Sequence, residues 1–300
     1  MPLKRRLIVI VGATATGKTA LGIELARTCE GEIVNADSRQ VYRHMDIGTA
    51  KPKPEELAAA PHHLVDIVDP DEPFSLRSWL DLAHDAVADA WARGKLPLLV
   101  GGTGQYVWAL MEGWRVPRVP PQSDLRLELS ARPPDELLAE LRRVDPAAEE
   151  YIDPRNVRRV IRALEVHAAT GKPLSYWRTK ETPPFDSLII GISHSREGLY
   201  TRIDGRVDSM FERGLVDEVA SLRGAGYARS LPSMSGIGYR EVSEYLDGER
   251  TLQSAIERTK TGTHRLARHQ NSWFKTADQR IRWVEAAEQA NDRVRFWLES

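Results

Sequence analysis

Residues 7–26, LIVIVGATATGKTALGIELA, restrict the fold more than any other stretch of the chain. Leu7, Ile8, Val9, Ile10 and Val11 form an unbroken apolar run rich in β-branched residues. Bounded by glycine, such a run reads as a strand buried on both faces, the habit of parallel sheets. Gly12 to Thr19 then fits G-x-x-x-x-G-K-[ST] at every fixed position, and Leu21, Leu25 and Ala26 resume at helical spacing. Strand, glycine loop and helix are the context a phosphate-binding loop requires. Backbone N–H groups from Gly12 through Thr14, Ala15, Thr16 and Gly17 would form an anion nest, and the following helix adds its positive end. Lys18 brings a mobile ammonium and Thr19 a hydroxyl that can reach Mg²⁺. The match specifies an oligophosphate site, without saying which oligophosphate or whether phosphate moves.

Bulk properties exclude several classes. At 300 residues the chain can bury a real core in one large domain or two. Its net charge of −1 means that any basic surface is local and balanced elsewhere. A single cysteine, Cys29, excludes an internal disulfide and a Cys-based zinc finger. Lys4-Arg5-Arg6 before an apolar run imitates a signal peptide, but the run is too short and is the first strand. No stretch is long enough to cross a membrane, so a cytoplasmic protein is expected; a monomer is a separate expectation.

Further along, Glu32 to Asn35 reads as a second strand, which ends in Ala36-Asp37-Ser38-Arg39-Gln40. Carboxyl ends of parallel strands open on the ligand crevice, so Asp37 stands where a catalytic carboxylate would; an Asx turn or a helix N-cap is the alternative. Residues 45–54, MDIGTAKPKP, read as a polar surface loop carrying Lys51 and Lys53, and His63 to Val68 as a strand. A long amphipathic helix follows Ser75 and stops at Gly94. Leu96 to Val100 is a strand, and Gly101-Gly102-Thr103-Gly104 after it is a second anion-friendly turn or a plain β–α turn. Glycines there would let a substrate approach the backbone, and Thr103 offers a hydroxyl.

Composition changes at the proline-rich residues 115–121, after which residues 124–180 show helical patterns and no convincing strand. Within them Val157, Val160, Ile161 and Leu164 form one helical stripe, and Arg155, Arg158, Arg159 and Arg162 another, with only Glu165 close by. Such a stripe is either a solvated face or a surface for a phosphodiester backbone. Ser187 to Ser193 returns to a buried strand, so the helical stretch is an insertion. Helices from Arg196 and from Thr251, a Gly/Ser-rich loop over residues 231–240 that delivers Tyr239 and Arg240, and a last strand over residues 280–284 complete the pattern. The expected fold is α/β: a P-loop NTPase-like parallel sheet flanked by helices, with an all-helical insertion. The core would comprise residues 1–120 and 184–300, and the insertion residues 121–183.

Five pieces in this order, GATATGKT, NADSRQVY, MDIGTAKP, VGGTGQYV and IGYRE, strongly resemble the tRNA dimethylallyltransferase (tRNA isopentenyltransferase) family of bacterial type. RNVRRVIRALEVHAATGKP is similar to that family's insertion segment, and the likeness covers nearly the whole chain. The resemblance implies transfer of a dimethylallyl group from dimethylallyl diphosphate to N6 of adenine 37, beside the anticodon, in tRNAs reading codons that start with U. It implies that the loop holds a diphosphate leaving group, that Mg²⁺ assists, that Asp37 contacts the adenine and that Thr103 sits at the reacting centre. Asp37, Ser38, Arg39, Gln40 and Thr103 would meet the target base and its neighbours. Arg126 and the segment Arg158, Arg159, Val160, Ile161 and Arg162 would contact the anticodon stem-loop. Physical argument agrees: charge grows on the departing oxygens, where Lys18, loop N–H groups, Mg²⁺ and a second cation such as Arg240 would meet it. The weakly nucleophilic amine must lose a proton, for which Asp37 is the chosen base.

Three other classes share parts of this pattern. A P-loop small-molecule kinase would carry a small lid in place of a basic helical insertion. An adenylate prenyltransferase needs no RNA-binding insertion. A non-catalytic RNA-binding P-loop protein would not need Asp37 together with Thr103.

Overall fold

A computed structural model describes residues 5–300; Lys4, in the basic trio, lies outside them. In chain order the elements are β1 (Arg6–Val11), α1 (Lys18–Thr28), β2 (Gly31–Asn35), α2 (Pro54–Ala59), β3 (His62–His63), α3 (Leu76–Ala92), β4 (Leu96–Val100) and α4 (Gly104–Met111). There follow α5 (Ser123–Ser130), α6 (Pro134–Val144), α7 (Val157–Thr170), β5 (Asp186–Ile192), α8 (Arg196–Glu212), α9 (Leu215–Gly224), α10 (Tyr239–Leu246), α11 (Leu252–Trp273), β6 (Ile281–Val284) and α12 (Ala287–Glu299). They form two compact units, one running to Phe74 with Ser78–Val107 and Pro184–Ser300, the other Trp108–Pro183 with Ser75–Arg77.

The first unit is built on a six-stranded parallel sheet in the order β3-β2-β4-β1-β5-β6. Ile8 of β1 lies beside Leu98 of β4 on one side and Leu188 of β5 on the other. Ile8 and Ile10 share a core with Leu21 and Leu25 of α1 and with Ala290 and Val294 of α12. Side chains alternate along a strand, so Leu7, Val9 and Val11 face the opposite side and are equally buried. Each such burial contributes about 1.5–3 kcal/mol, which is why β1 is apolar from Leu7 to Val11 instead of alternating. Two indoles fix α3 along the sheet. Trp79 Nε1 donates to the Asn35 carbonyl at 3.0 Å, and Trp91 Nε1 to the Arg6 carbonyl at 2.8 Å.

Three local expectations give way. The strand expected over residues 63–68 shrinks to the two residues of β3. Leu64 and Asp66 take φ of 65° and 56°, and Asn35 Nδ2 donates to the Leu64 carbonyl at 3.0 Å, so the chain kinks away. Lys51, expected on a surface loop, is buried: its ammonium donates to the Tyr42 carbonyl at 2.9 Å and pairs with Asp46 and Asp66. A buried ammonium needs such partners, since leaving it unpaired costs several kcal/mol, roughly. The loop expected over residues 231–240 ends at Gly238, where α10 begins. Gly238 has φ of 91°, and the Glu241 carboxylate accepts its N–H at 2.8 Å.

In the second unit α5, α6 and α7 enclose Leu129, Leu137, Leu141, Ile152, Val160, Ile161 and Leu164. Residues 108–120 also belong to it, although the proline-rich composition placed the boundary at 121. Trp114 bridges Lys180, the Arg115 N–H donates to Thr179 at 3.0 Å and the Glu181 N–H to Gly113 at 2.9 Å, so the two connections run side by side. Gly113 has φ of 58°, and a Cβ there would overlap the Glu181 carbonyl.

Candidate active site

The glycine loop joins β1 to α1 with Gly12, Ala15 and Gly17 at φ of 147°, 64° and 95°. Gly17 is the N-cap of α1 and offers no side-chain cap, which leaves the helix's first N–H groups for an anion. Loop carbonyls are tied outward. Arg202 Nε of α8 donates to the Ala15 carbonyl at 2.9 Å, and His194 Nε2 lies 3.1 Å from the Thr16 carbonyl. Lys18 Nζ donates to the Ala13 carbonyl at 2.6 Å and the Thr16 hydroxyl to the same oxygen at 2.9 Å. Burial pushes the Lys18 ammonium down to about 8; Asp37 pulls it up, and the neighbouring Arg206 pushes it down again. Burial also lowers Arg206, with Arg202 adding to the effect. Arg206 Nη1 stands 3.5 Å from the Thr14 hydroxyl. The Thr19 hydroxyl has no partner among the described residues, which contain no cluster of three or more His, Cys, Asp or Glu that could hold a metal.

Sheet order places the other groups. Asp37 follows β2 and Thr103 follows β4, the strand between β2 and β1. With strands about 4.8 Å apart, Asp37 stands roughly 10 Å from the glycine loop and Thr103 in between. Asp37 Oδ1 accepts the Arg39 N–H at 2.8 Å, an Asx turn, while Oδ2 has no hydrogen-bond partner among the described residues. The Ser38 N–H donates to the Thr103 hydroxyl at 3.0 Å, and the Thr103 N–H to the Ala36 carbonyl at 3.1 Å.

Arg39 and Gln40, both half-buried, hydrogen-bond to backbone carbonyls of the protein. Arg39 Nη1 donates to Pro232 at 2.9 Å, and Gln40 Nε2 to Ala50 at 3.2 Å. Arg240, the second cation named from sequence, is held by Glu241 through Nε at 3.0 Å and through Nη2. The guanidinium in the field of Lys18 is Arg206. Tyr239 is buried and its hydroxyl donates to Glu218 at 2.6 Å. The same carboxylate accepts the N–H groups of Asp46, Ile47 and Gly48 at 3.0, 2.7 and 3.1 Å, which shapes the MDIGTAKP loop.

In the second unit the arginine stripe is less free than its spacing predicts. Arg126 grips the fully buried Glu165 through Nε at 2.7 Å and Nη2 at 2.8 Å, and Arg162 joins from the other side. Burial alone would raise the Glu165 carboxyl; hydrogen bonds from Arg126, the Gln122 N–H and Arg162 outweigh it and hold it at about 2. Arg155 pairs with Asp153 at 2.9 Å. Only Arg158 and Arg159 of the stripe are exposed without an ion pair among the described residues. Val160 and Ile161, 2% and 7% exposed, point into the unit's core, so their side chains cannot meet RNA.

Sequence reasoning passed over Arg202, Arg206 and Gln270. The i, i+4 spacing of the two arginines on α8 was the available signal for the first pair. Gln270 of α11 is buried and touches the loop through the Thr14 N–H; no local pattern marks it.

Fold and glycine loop together define a P-loop-type α/β protein. Residues 40–277 match the model of the family described as IPP transferase, and residues 5–65 that described as isopentenyl transferase. The tRNA dimethylallyltransferase of Roseiflexus sp. (strain RS-1) is 52% identical over 98% of this chain and 99% of its own length. That of Dehalococcoides mccartyi is 47% identical over 96% and 90%. Among solved structures, the full-length tRNA isopentenylpyrophosphate transferase of Bacillus halodurans superposes with a TM-score of 0.73 at 39% identity, covering 99% of this chain and 96% of that one. A eukaryotic dimethylallyltransferase acting on tRNA gives 0.81 at 31% identity, covering 95% and 75%. The chain belongs to the IPP transferase family.

Proposed function

We propose that the protein transfers the dimethylallyl group of dimethylallyl diphosphate to N6 of adenine 37 in tRNAs reading codons that start with U, and releases diphosphate. The observation that carries this reading is the order of three strand ends: anion loop, Thr103, then Asp37. A donor gripped at the first would present its allylic carbon toward the second, with the acceptor amine beside the third. Loop N–H groups other than that of Thr14, which Gln270 takes, together with Lys18 and Arg206 meet the charge that gathers on the leaving oxygens as the C–O bond breaks. The N6 lone pair forms the new C–N bond, and Asp37 Oδ2 accepts the proton released. Thr103 aligns the segment that carries Asp37. The unpartnered Thr19 hydroxyl suits Mg²⁺, which takes most of its ligands from water and phosphate; when bound with diphosphate it supplies further positive charge.

Adenine 37 must leave the anticodon-loop stack to reach this pocket. Arg158 and Arg159 are the groups best placed by their exposure to hold the RNA backbone. Action as a monomer, in the cytoplasm where the tRNA substrate is found, belongs to the same reading. The deciding experiment incubates the protein with labelled dimethylallyl diphosphate, Mg²⁺ and unmodified tRNA, AMP or ATP. Label in tRNA supports the reading. Label in AMP alone, or ATP turnover with a small acceptor, replaces it with an adenylate prenyltransferase or a kinase.

A further inference from the structure

Gln270 lies outside every motif that marks the site, yet its carboxamide joins the two glycine turns. Its Oε1 accepts the Thr14 N–H at 2.7 Å, and its Nε2 donates to the Gly102 carbonyl at 3.1 Å. A carboxamide is the neutral head that offers an acceptor and a donor side by side. Room for it exists because residue 102 is glycine: a Cβ there would overlap Gln270 Nε2. Two positions on, a Cβ at Gly104 would overlap Trp273, one turn further along α11. A Cβ at Gly101 would overlap the Ala36 carbonyl. These three glycines are therefore each required by a neighbouring part of the protein, before any substrate is considered.

Each end of the carboxamide holds one peptide plane. The Ala13–Thr14 plane gives its N–H to Gln270, and its carbonyl takes Lys18 and Thr16. The Gly102–Thr103 plane gives its carbonyl to Gln270, and its N–H goes to Ala36, next to Asp37. Through one buried side chain the orientation of the Lys18 anchor is tied to the orientation of the Asp37 segment.

We propose that Gln270 is a positioning residue for prenyl transfer: a joint that sets the separation between the diphosphate loop and the Thr103–Asp37 side of the site. This rests on the transfer activity proposed above. Misplacement of reacting groups by about 1 Å can cost about 10²-fold in rate, so loss of the joint falls on kcat and leaves the donor's KM nearly unchanged.

Two variants test it. Gln270→Glu keeps the acceptor for Thr14 but, when ionised, turns an oxygen toward the Gly102 carbonyl. When protonated, its O–H donates there and restores the joint, and burial raises the pH at which this happens. Its kcat relative to wild type should be down about tenfold or more at pH 8.5 and recover to within about threefold at pH 6. Because a buried carboxylate also lowers stability as pH rises, both rates are taken where circular dichroism shows the variant fully folded. Gln270→Met should lose a similar factor at both pH values, with the KM for dimethylallyl diphosphate within about threefold of wild type. A Gln270→Met kcat within twofold of wild type, or a Gln270→Glu ratio flat with pH, overturns the proposal. Hydrogen exchange of the Thr14 amide reads the joint without turnover: it should speed up in Gln270→Met, and unchanged exchange also overturns it. Failure of the wild type to label tRNA would instead remove the activity itself.

Discussion

Thr103 and Ser38, 65 positions apart, are joined by a 3.0 Å hydrogen bond in which the threonine hydroxyl accepts the serine N–H. The Thr103 N–H closes the same connection by donating to Ala36 at 3.1 Å. Asp37, between Ala36 and Ser38, is thus held from both sides by one residue of the neighbouring turn. Removing the hydroxyl leaves the Ser38 N–H without its partner, at a cost of about 1–3 kcal/mol. If that cost falls on the transition state, Thr103→Ala lowers kcat by about 5- to 150-fold. Thr103→Ser keeps the oxygen and should stay within about threefold of wild type. Steady-state kinetics on tRNA decide; equal losses in both variants would assign the effect to the methyl group.

Asp37 Oδ1 closes the Asx turn with the Arg39 N–H at 2.8 Å, which leaves Oδ2 for the proton transfer proposed above. Asparagine can keep the turn but cannot take a proton. Asp37→Asn is therefore expected to lower kcat by about 10²–10⁴-fold, the usual worth of a positioned base. Affinity for tRNA should stay within a few-fold of wild type. A loss carried mainly by tRNA affinity would make Asp37 a binding residue and leave the base unassigned.

Lys18 is half-buried and held at about 8, below its ordinary value of 10.5, by burial first and by Arg206 next. A bound diphosphate adds negative charge and restores the ammonium. Because the free ammonium is lowered to about 8, binding above that pH should draw in a fraction of a proton that grows as pH rises. Calorimetry with dimethylallyl diphosphate and no tRNA, in buffers of different ionisation enthalpy, measures that uptake directly. Lys18→Met should abolish it, and at pH 6.5, where Lys18 is already charged, uptake should vanish in the wild type as well. For the ligand-free protein the sign is the reverse of a salt-bridged lysine. The unfolded chain binds this proton more tightly, so this group's contribution to stability rises with pH between about 8 and 10.5.

Much of this architecture could be read from residue order alone, for a physical reason. Strands β1, β4 and β5 lie inside a parallel sheet and carry apolar runs, Leu7–Val11, Leu96–Val100 and Leu188–Ile190, that suffice to mark them, while β2 shows only Ile33 and Val34 beside the buried Glu32 and Asn35. The glycine loop is equally plain, because its backbone geometry demands glycine at Gly12 and Gly17. Contacts made across long chain separations were not legible. Gln270 reaches Thr14 over 256 positions, and Glu218 reaches Ile47 over 171. Charge patterning failed in two ways. Lys51 turned inward because Asp46 and Asp66 were there to meet it. Arg126 was not seen to share Glu165 with Arg162, since its helix lies 39 positions upstream. The kink at Leu64 and Asp66 escaped because neither is a residue type that advertises positive φ to the degree glycine does.

The arginines of the second unit divide into two functions that one pair of experiments separates. Arg158 and Arg159 are exposed and make no ion pair among the described residues, so under the proposed function each phosphate they met would release counterions on RNA binding. Arg158→Ala with Arg159→Ala should reduce the slope of log affinity against log salt by about 1.5–2 and leave thermal stability unchanged. Glu165, by contrast, is fully buried between Arg126 and Arg162. Glu165→Gln removes the charge both guanidinium groups answer. The expected loss of stability is about 2–3 kcal/mol, below the range for a wholly buried pair because both arginines are partly exposed. Because the folded carboxyl sits near 2 and the ordinary value is 4.5, the wild type's advantage is full above about pH 5. It fades as pH falls toward 2, the direction required of a depressed carboxylate. Chemical denaturation of both proteins at pH 7 and pH 3 measures it. A gap that is the same at both pH values would show that packing, and not the ionised carboxylate, is what the substitution removes.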